Sequence, residues 1–279
     1  GHEVELVINT KGGLPPLDVR APWLRNIPLH GLTGPRRRRW QQRHLLRGLV
    51  RDRLDEPVRP VVVLSAAAGM TDSLAELTRG ARQGRADEVM RRIEDTHRAL
   101  AESLGLDMDD LLGDYLVSLR DLGAGIALTG EVSPRVEARV LATGELMSTT
   151  LGAAFLNTSG IECQWQDART FMTGHLARFA SERSRFLSAR VMPERDPELV
   201  ARFAAGPACV VTQGYIARDA RGDTVLLGRG GSDTSASAIA HMLGAARVEN
   251  WTDVPGMFTA DPRTVSGARL LKSLDYSEG

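Results

Sequence analysis

Cysteine, aromatic residues and net charge are all scarce in this chain of 279 residues. The two cysteines, Cys163 and Cys209, are too few for a disulfide framework, and we expect both to be buried small hydrophobes in a reducing compartment. Thirty-five basic residues balance 35 acidic ones, so no overall field would attract nucleic acid or an anionic membrane. No apolar run approaches the roughly 20 residues that span a bilayer, and no secretory leader opens the sequence. We therefore expect a globular cytoplasmic protein that binds neither membrane nor nucleic acid.

Metal-ligand spacing and a Walker-type phosphate loop are also missing from the sequence. His97, His175 and His241 have no partner at the spacing of a metal site, so we expect structural or surface roles for them and predict no metal ligand. The chain contains no Gly-x-x-x-x-Gly-Lys-Ser/Thr segment. Any ATP would therefore bind outside the P-loop architecture.

The apolar content of 42% is enough for a core in one large domain or two lobes. Residues 1–44 are interrupted by prolines and carry four consecutive arginines, and we expect no packed element there. From Leu45 the leucines recur at helical spacing, and residues 60–64 predict a strand buried on both faces. Residues 72–150 are rich in helical periodicity, and residues 208–214 suit a further strand. This alternation predicts an α/β fold with a central, mainly parallel sheet covered on both faces.

The segment Leu227–Ala236, Leu-Gly-Arg-Gly-Gly-Ser-Asp-Thr-Ser-Ala, has the composition of an anion site. Gly230 and Gly231 let the backbone approach a ligand closely, and the planar fork of Arg229 can grip a carboxylate with two hydrogen bonds. Ser232 follows at a predicted helix N-terminus, where backbone N–H groups attract negative charge. The plainer alternative is a tight turn with a solvated arginine.

A second group of polar residues follows a predicted strand that ends at Trp251. The carboxyl ends of parallel strands face the crevice in which such sheets bind ligands. Thr252 and Asp253 are therefore expected to contact the ribose or phosphates of a nucleotide, Phe258 to lie against its base, and Arg263 to bind its phosphates. A surface turn capped by Asp253 is the alternative.

Two further segments carry weaker signals. The small residues between Ser65 and Thr71 leave room for a substrate or phosphate beside a helix N-terminus, although Thr71 is equally well explained as a helix N-cap. Glu145 follows Gly144 on a predicted helix, where a buried carboxylate would pair with a substrate ammonium group. An ordinary solvated glutamate is the alternative for Glu145.

These segments resemble, in one order, the catalytic domain of aspartate kinases, within the amino-acid kinase superfamily. The resemblance covers the chain from about Leu45 to its C-terminus. The motifs are Ser65-Ala-Ala-Ala-Gly-Met-Thr-Asp72, Gly144-Glu-Leu-Met-Ser148, Thr212-Gln-Gly-Tyr-Ile216 with Leu227-Gly-Arg-Gly-Gly-Ser-Asp233, and Trp251-Thr-Asp-Val-Pro-Gly256 with Thr259-Ala-Asp-Pro-Arg263.

The resemblance implies a three-layer α/β/α amino-acid kinase fold with a helical insertion in its N-terminal lobe. Residues 45–205 would form an aspartate-binding lobe and residues 206–279 a nucleotide-binding lobe. It also implies a homo-oligomeric enzyme that transfers the γ-phosphoryl group of Mg-ATP to the side-chain carboxylate of L-aspartate. That reaction is the first step toward lysine, threonine and methionine.

Residue roles follow from the resemblance by motif position. Arg229 would hold the α-carboxylate of aspartate and Glu145 its ammonium group. The remaining substrate contacts would come from Thr71, Tyr215, Gly230, Gly231 and Ser232. Ser65 would lie near the transferring phosphate, and Asp233 would organise a catalytic lysine. The nucleotide would be contacted by Thr252, Asp253, Phe258 and Arg263.

Two departures from the family pattern concern lysines. The expected Lys-Phe-Gly-Gly-Thr loop would fall near residues 34–40, where Gly-Pro-Arg-Arg-Arg-Arg-Trp stands, and Lys11-Gly12-Gly13 lies too early to be assigned. We therefore expect residues 1–44 to be an atypical leader rather than native family sequence. The chain also stops before a Gly-Ala-Lys segment, so the nucleotide lobe is expected to be truncated. A fragment or pseudoenzyme that binds nucleotide or aspartate without turnover is the alternative function.

The helical insertion also resembles that of longer aspartate kinases, some of which are fused to a second enzyme of the same pathway. We therefore expect the native protein to be either a single enzyme or such a fusion.

Overall fold

The computed structural model describes residues 6–10, 46–56, 59–175, 181–228, 230–251, 258–261 and 264–271. A parallel five-stranded sheet forms the centre of the fold, with the strand order β3-β6-β2-β1-β9, and two antiparallel pairs, β4-β5 and β7-β8, lie outside it. The strands are β1 (Leu6–Thr10), β2 (Pro60–Leu64), β3 (Cys163–Trp165), β4 (Gly174–His175), β5 (Arg190–Val191), β6 (Cys209–Gln213), β7 (Ile216–Arg218), β8 (Thr224–Leu226) and β9 (Arg247–Trp251). The predicted α/β class and parallel sheet are confirmed.

Helices cover this sheet and form most of the chain between β2 and β3. They are α1 (residues 46–54), α2 (Met70–Ala81), α3 (Ala86–Leu104), α4 (Met108–Thr129), α5 (Pro134–Thr158), α6 (Glu182–Leu187), α7 (Pro197–Ala205) and α8 (Gly231–Leu243). The predicted helix-rich region is thus α2 to α5. None of the described helices is both long and apolar enough to cross a membrane.

The expectation that residues 1–44 contain no packed element is wrong for Leu6–Thr10. These residues form β1, which pairs in parallel with β2 on one side and with β9 on the other. The run Leu-Val-Ile suits a strand that has neighbours on both sides, and the prolines that interrupt the segment all come after it. The rest of residues 1–44 lies outside the described part of the chain, and the division into leader and two lobes stays a prediction.

Local capping explains where the helices of the α2–α5 region begin. Asp107 caps α4 by accepting hydrogen bonds from the N–H groups of Asp109 and Asp110. Ser133 caps α5 in the same way through the N–H of Val136, and Pro134 occupies the first turn. The resulting helix α5 is the longest described, with 25 residues, and most of its length is buried.

Glycines bring α5 close to the sheet. A Cβ atom on Gly152 would lie 2.6 Å from the Cδ1 of Leu64, and one on Gly144 would lie 2.9 Å from the Cδ1 of Leu74. Only glycine therefore allows this packing without displacement of its neighbours. The consequence is that Glu145 lies beneath the loop that follows β2.

A buried hydrogen-bond network fixes α5 against the ends of β3 and β6. The Thr149 hydroxyl accepts from Gln213 Nε2 at 2.8 Å and from Trp165 Nε1 at 2.9 Å. The Oε1 of Gln213 accepts from the N–H of Ala168 at 2.7 Å. Because Thr149 and Gln213 are fully buried and satisfied, the network specifies one arrangement of these elements.

Candidate active site

A cavity of about 850 Å³ opens where β2 and β6 end. These strands are neighbours in the sheet, Leu64 pairs with Gln213, and the N–H of Gly214 donates to the carbonyl of Leu64 at 3.0 Å. The described lining residues are Ser65, Ala66, Ala67, Ala68, Gly69, Thr71, Glu145, Arg183, Ser184, Leu187, Ser188, Tyr215, Gly228, Gly230, Gly231 and Ser232. Residues predicted separately from three motifs therefore face one space.

Ser65 connects three elements at the floor of this cavity. Its hydroxyl donates to the Oγ of Ser232 on α8 at 2.8 Å, and its carbonyl accepts from the Oγ of Ser148 on α5 at 2.7 Å. The loop that follows ends at Gly69, which has a φ of 75° and is the N-cap of α2. Thr71 therefore lies inside α2 and faces the cavity, so the alternative of an N-cap role for Thr71 is wrong.

Glu145 contributes a buried carboxyl group to the same cavity. Glu145 is only 3% exposed, so the alternative of a solvated glutamate is wrong. Burial disfavours the charged form and raises the pKa of Glu145 to about 8, although backbone hydrogen bonds at Glu145 and Ala66 oppose the rise. Its Oε2 has no hydrogen-bond partner among the described residues. A cationic group in the cavity would satisfy this oxygen and favour its ionised form.

Tyr215 occupies the turn between β6 and β7 in an unusual conformation. Its φ of 66° is the one positive value of a non-glycine residue in the described part of the chain. Burial raises the pKa of its phenol to about 12, and the carboxylates of Glu145 and Glu137 add to the rise. The side chain is thus a neutral hydrogen-bonding group at physiological pH.

The N-terminus of α8 faces the cavity from the other side. Gly230, with a φ of 69°, is the N-cap, and Gly231 and Ser232 form the first turn. N–H groups in the first turn of a helix attract anions, and Gly230, Gly231 and Ser232 line the cavity. A Cβ atom on Gly231 would lie 2.5 Å from the Cδ2 of Tyr215, so the aromatic ring packs directly on this helix start.

Comparison with known proteins identifies the family of the chain. The model of the amino acid kinase family matches residues 42–279. The chain belongs to the amino acid kinase family. Among relatives of this amino acid kinase, lysine-sensitive aspartokinase 3 of Escherichia coli (strain K12) is 34% identical over 227 residues, which are 78% of this chain and 47% of the relative. The chloroplastic bifunctional aspartokinase/homoserine dehydrogenase 2 of Arabidopsis thaliana is 32% identical over 237 residues, covering 80% of this chain and 25% of the relative.

A solved structure is similar over almost the whole chain. The crystal structure of E. coli aspartokinase III in complex with aspartate and ADP, in its R-state, aligns with a TM-score of 0.73 at 29% identity. The alignment covers 96% of this amino acid kinase and 53% of that chain. The predicted three-layer fold and the resemblance to aspartate kinases are thereby confirmed. The chain spans about half of the E. coli relative and a quarter of the Arabidopsis one.

Several predicted site residues of this amino acid kinase are not placed by the structure. Arg229, Thr252, Asp253 and Arg263 lie outside the described residues. In the sequence, Arg229 stands between two glycines that line the cavity, Gly228 and Gly230.

Phe258 and Asp233 are described but are absent from the described lining of the cavity. Phe258 forms an isolated antiparallel bridge with Leu270, and Asp233 lies in the first turn of α8 beside Ser232. Their roles at the nucleotide and at a catalytic lysine stay predictions.

The strand that precedes the predicted nucleotide residues in the sequence, β9, is described by the structure. Trp251, the last residue of β9, pairs with Thr10 of β1, and Thr10 pairs with Leu64 of β2. The end of β9 therefore lies at the same carboxyl edge of the sheet as the end of β2, and the roles of the predicted nucleotide residues stay predictions.

One wall of the cavity was not predicted from the sequence. Helix α6 contributes Arg183, Ser184 and Leu187, and Ser188 follows it. Arg183 donates two hydrogen bonds to the carboxylate of Glu137, at 2.8 and 3.1 Å, and so attaches this wall to α5. The available signal was Ser181, which caps the helix through the N–H of Ser184, but six residues are too few for a periodic pattern.

Proposed function

We propose that this amino acid kinase is the catalytic domain of an aspartate kinase, which transfers the γ-phosphoryl group of ATP to the side-chain carboxylate of L-aspartate. The convergence of the Ser65 loop, Glu145, Tyr215 and the start of α8 on one cavity carries this proposal. The E. coli relative whose structure contains aspartate and ADP supports it. We further propose that the protein is a cytoplasmic homo-oligomer and that its product leads to lysine, threonine and methionine.

The α-ammonium and α-carboxylate groups of aspartate are each assigned to a protein group of opposite charge. Glu145, once ionised, accepts the α-ammonium group at its unpartnered Oε2. Arg229 holds the α-carboxylate through its two-pronged guanidinium group. The side chains of Tyr215, Thr71 and Ser232 complete the contacts and direct the second carboxylate toward Ser65.

Phosphoryl transfer needs alignment and charge stabilisation more than a protein nucleophile. ATP supplies the reactive phosphoryl group, and the N–H groups at the start of α8 suit its developing negative charge. Thr252, Asp253, Phe258 and Arg263 are assigned to the nucleotide. The described residues offer no cluster of acidic or histidine ligands for a metal. We assign the phosphate oxygens of ATP to Mg²⁺, which commonly binds through substrate phosphates and water.

Lys11 becomes a candidate for the phosphate-binding lysine because of the position of β1. Thr10 pairs with Leu64 at the end of β1, and Lys11 is the next residue in the sequence. The chain therefore supplies a lysine at the carboxyl edge where Ser65 follows β2. We assign Lys11 to the phosphates and Asp233 to its orientation, which replaces the view that the chain lacks this lysine.

Trapping of aspartyl phosphate with hydroxylamine tests the proposal. The full-length protein, incubated with Mg-ATP and hydroxylamine, is expected to form aspartyl hydroxamate with L-aspartate and none with D-aspartate. The absence of product from the full-length protein would reject kinase activity. If L-aspartate then still raised the melting temperature, binding without turnover would be the function instead.

A further inference from the structure

The backbone of Tyr215 is strained, so neighbouring groups must fix it in this conformation. A positive φ at a non-glycine residue typically costs about 1–3 kcal/mol and persists only where the surroundings fix it. The turn lies between Gln213, the buried end of β6, and Ile216, the start of β7. The carbonyl of Tyr215 accepts from the N–H of Leu227 at 2.9 Å, which fixes only one side of the peptide.

The other side is held by Ser235 of α8, which is not among the predicted site residues. The Tyr215 N–H donates to the Ser235 Oγ at 2.8 Å. The same hydroxyl donates to the carbonyl of Gly231 at 2.6 Å. Ser235 is 0% exposed and does not belong to the described lining of the cavity.

The Ser235 hydroxyl thus joins two segments that present groups to the cavity. One is the Tyr215 turn, and the other is the first turn of α8, which contains Gly231 and Ser232. The Tyr215 ring also packs on Gly231, where a Cβ atom would lie 2.5 Å from the Cδ2 of the ring. Loss of the hydroxyl would leave the Tyr215 N–H without its acceptor and let φ relax toward negative values.

We infer that Ser235 is a positioning residue for substrate binding, which holds the strained Tyr215 turn against the N-terminus of α8. The consequence for aspartate rests on the function proposed above, whereas the hydrogen bond itself does not. Ser235 acts through Tyr215 and Gly231 and does not contact the substrate.

Amide hydrogen exchange tests the bond without any ligand. Ser235→Ala is expected to speed exchange of the Tyr215 N–H by at least about tenfold, because the amide loses its acceptor. Ser237→Ala, an exposed serine on the same helix, serves as the matched control and is expected to leave this exchange unchanged. Equal exchange in Ser235→Ala and wild-type protein would overturn the inference.

Kinetics in the full-length protein test the consequence. Ser235→Ala is expected to raise the KM for L-aspartate about tenfold, the effect of about 1.4 kcal/mol, while the KM for ATP changes less than about twofold. A merely destabilising change would move neither KM selectively and would appear as a lower melting temperature. Equal changes in both KM values, or none, would overturn the positioning role.

A double-mutant cycle separates the backbone effect from general damage to the core. Loss of Ser235 lets the strained Tyr215 relax, which offsets part of the cost of the lost hydrogen bond, whereas glycine adopts the φ of 66° without strain. In a Tyr215→Gly background the further loss of Ser235 is therefore expected to lower the melting temperature more than in the wild type. Strictly additive effects would contradict the coupling. If wild-type protein forms no aspartyl hydroxamate, the proposed function fails, and the exchange experiment and this cycle still decide the role of Ser235.

Discussion

Binding of L-aspartate is expected to release a proton, because Glu145 is mostly neutral before the substrate arrives. With the pKa raised to about 8, about ten of every eleven ligand-free molecules carry the proton at pH 7. Pairing with an ammonium group requires the carboxylate. Binding at pH 7 should therefore expel about 0.9 proton per site, and deprotonation should cost about 1.4 kcal/mol of the binding free energy.

The pH dependence follows from the same numbers. Below the pKa of about 8, each unit of decrease in pH should raise the apparent Kd for L-aspartate about tenfold. Above that pKa the Kd should become constant as far as Glu145 is concerned. The ammonium group of the substrate stays charged through this range, so the slope reports the protein.

Isothermal titration calorimetry measures this release directly. L-aspartate is titrated at pH 7 in buffers that differ in ionisation enthalpy. The slope of the observed binding enthalpy against the ionisation enthalpy of the buffer gives the number of protons released. Glu145→Gln is the matched control: its binding should be weaker and should release no proton. Zero release by the wild type, or a Kd that is constant between pH 6 and pH 8, would refute this account of Glu145.

The remaining predictions concern stability and the lysine. Burial raises the pKa of Glu145 from its ordinary value of 4.5 to about 8, so the stability contributed by the protonated carboxyl group is fully present below pH 4.5 and is lost as the pH rises through about 8. At pH 9, Glu145→Gln should therefore raise the free energy of unfolding, measured in urea, by a few kcal/mol. Lys11→Met should reduce hydroxamate formation at least about 100-fold and preserve calorimetric binding of L-aspartate; undiminished product would remove Lys11 from the site. Gly231→Ala should weaken aspartate binding, since its Cβ would lie 2.5 Å from the Tyr215 ring, whereas Gly113→Ala, with no atom nearby, should bind normally and gain up to about 1 kcal/mol of stability. Normal binding by Gly231→Ala would show that the close contact is unimportant.

Sequence patterns predicted the parts of the fold that local apolar runs determine. The valines of β2 and the residues of β6 suit only buried strands, and adjacent parallel strands bring their following loops to one edge. Ser65 and Tyr215, which are 150 positions apart in the chain, were expected in one site from the resemblance to aspartate kinases, and the adjacent strands β2 and β6 bring them to one cavity.

Features that depend on distant partners were not predicted. Strand β1 consists of five residues whose place is set by pairing with β2 and β9, and nothing in its own sequence shows those partners. The α6 wall depends on the ion pair between Arg183 and Glu137, which lie in different helices. Such pairings follow from the tertiary fold, so a periodicity analysis cannot find them.

Two unusual residues of the described part of the chain line the same cavity. The described part of the chain contains one non-glycine residue with a positive φ, Tyr215, and one buried glutamate, Glu145. Both line the same cavity, as does Gly231, on which the Tyr215 ring packs. Neither a buried carboxyl oxygen without a partner nor a positive φ at a non-glycine residue favours the stability of a fold. Their joint presence is therefore an argument for a binding site that does not depend on any relative, and it locates the amino-acid end of that site beside α5.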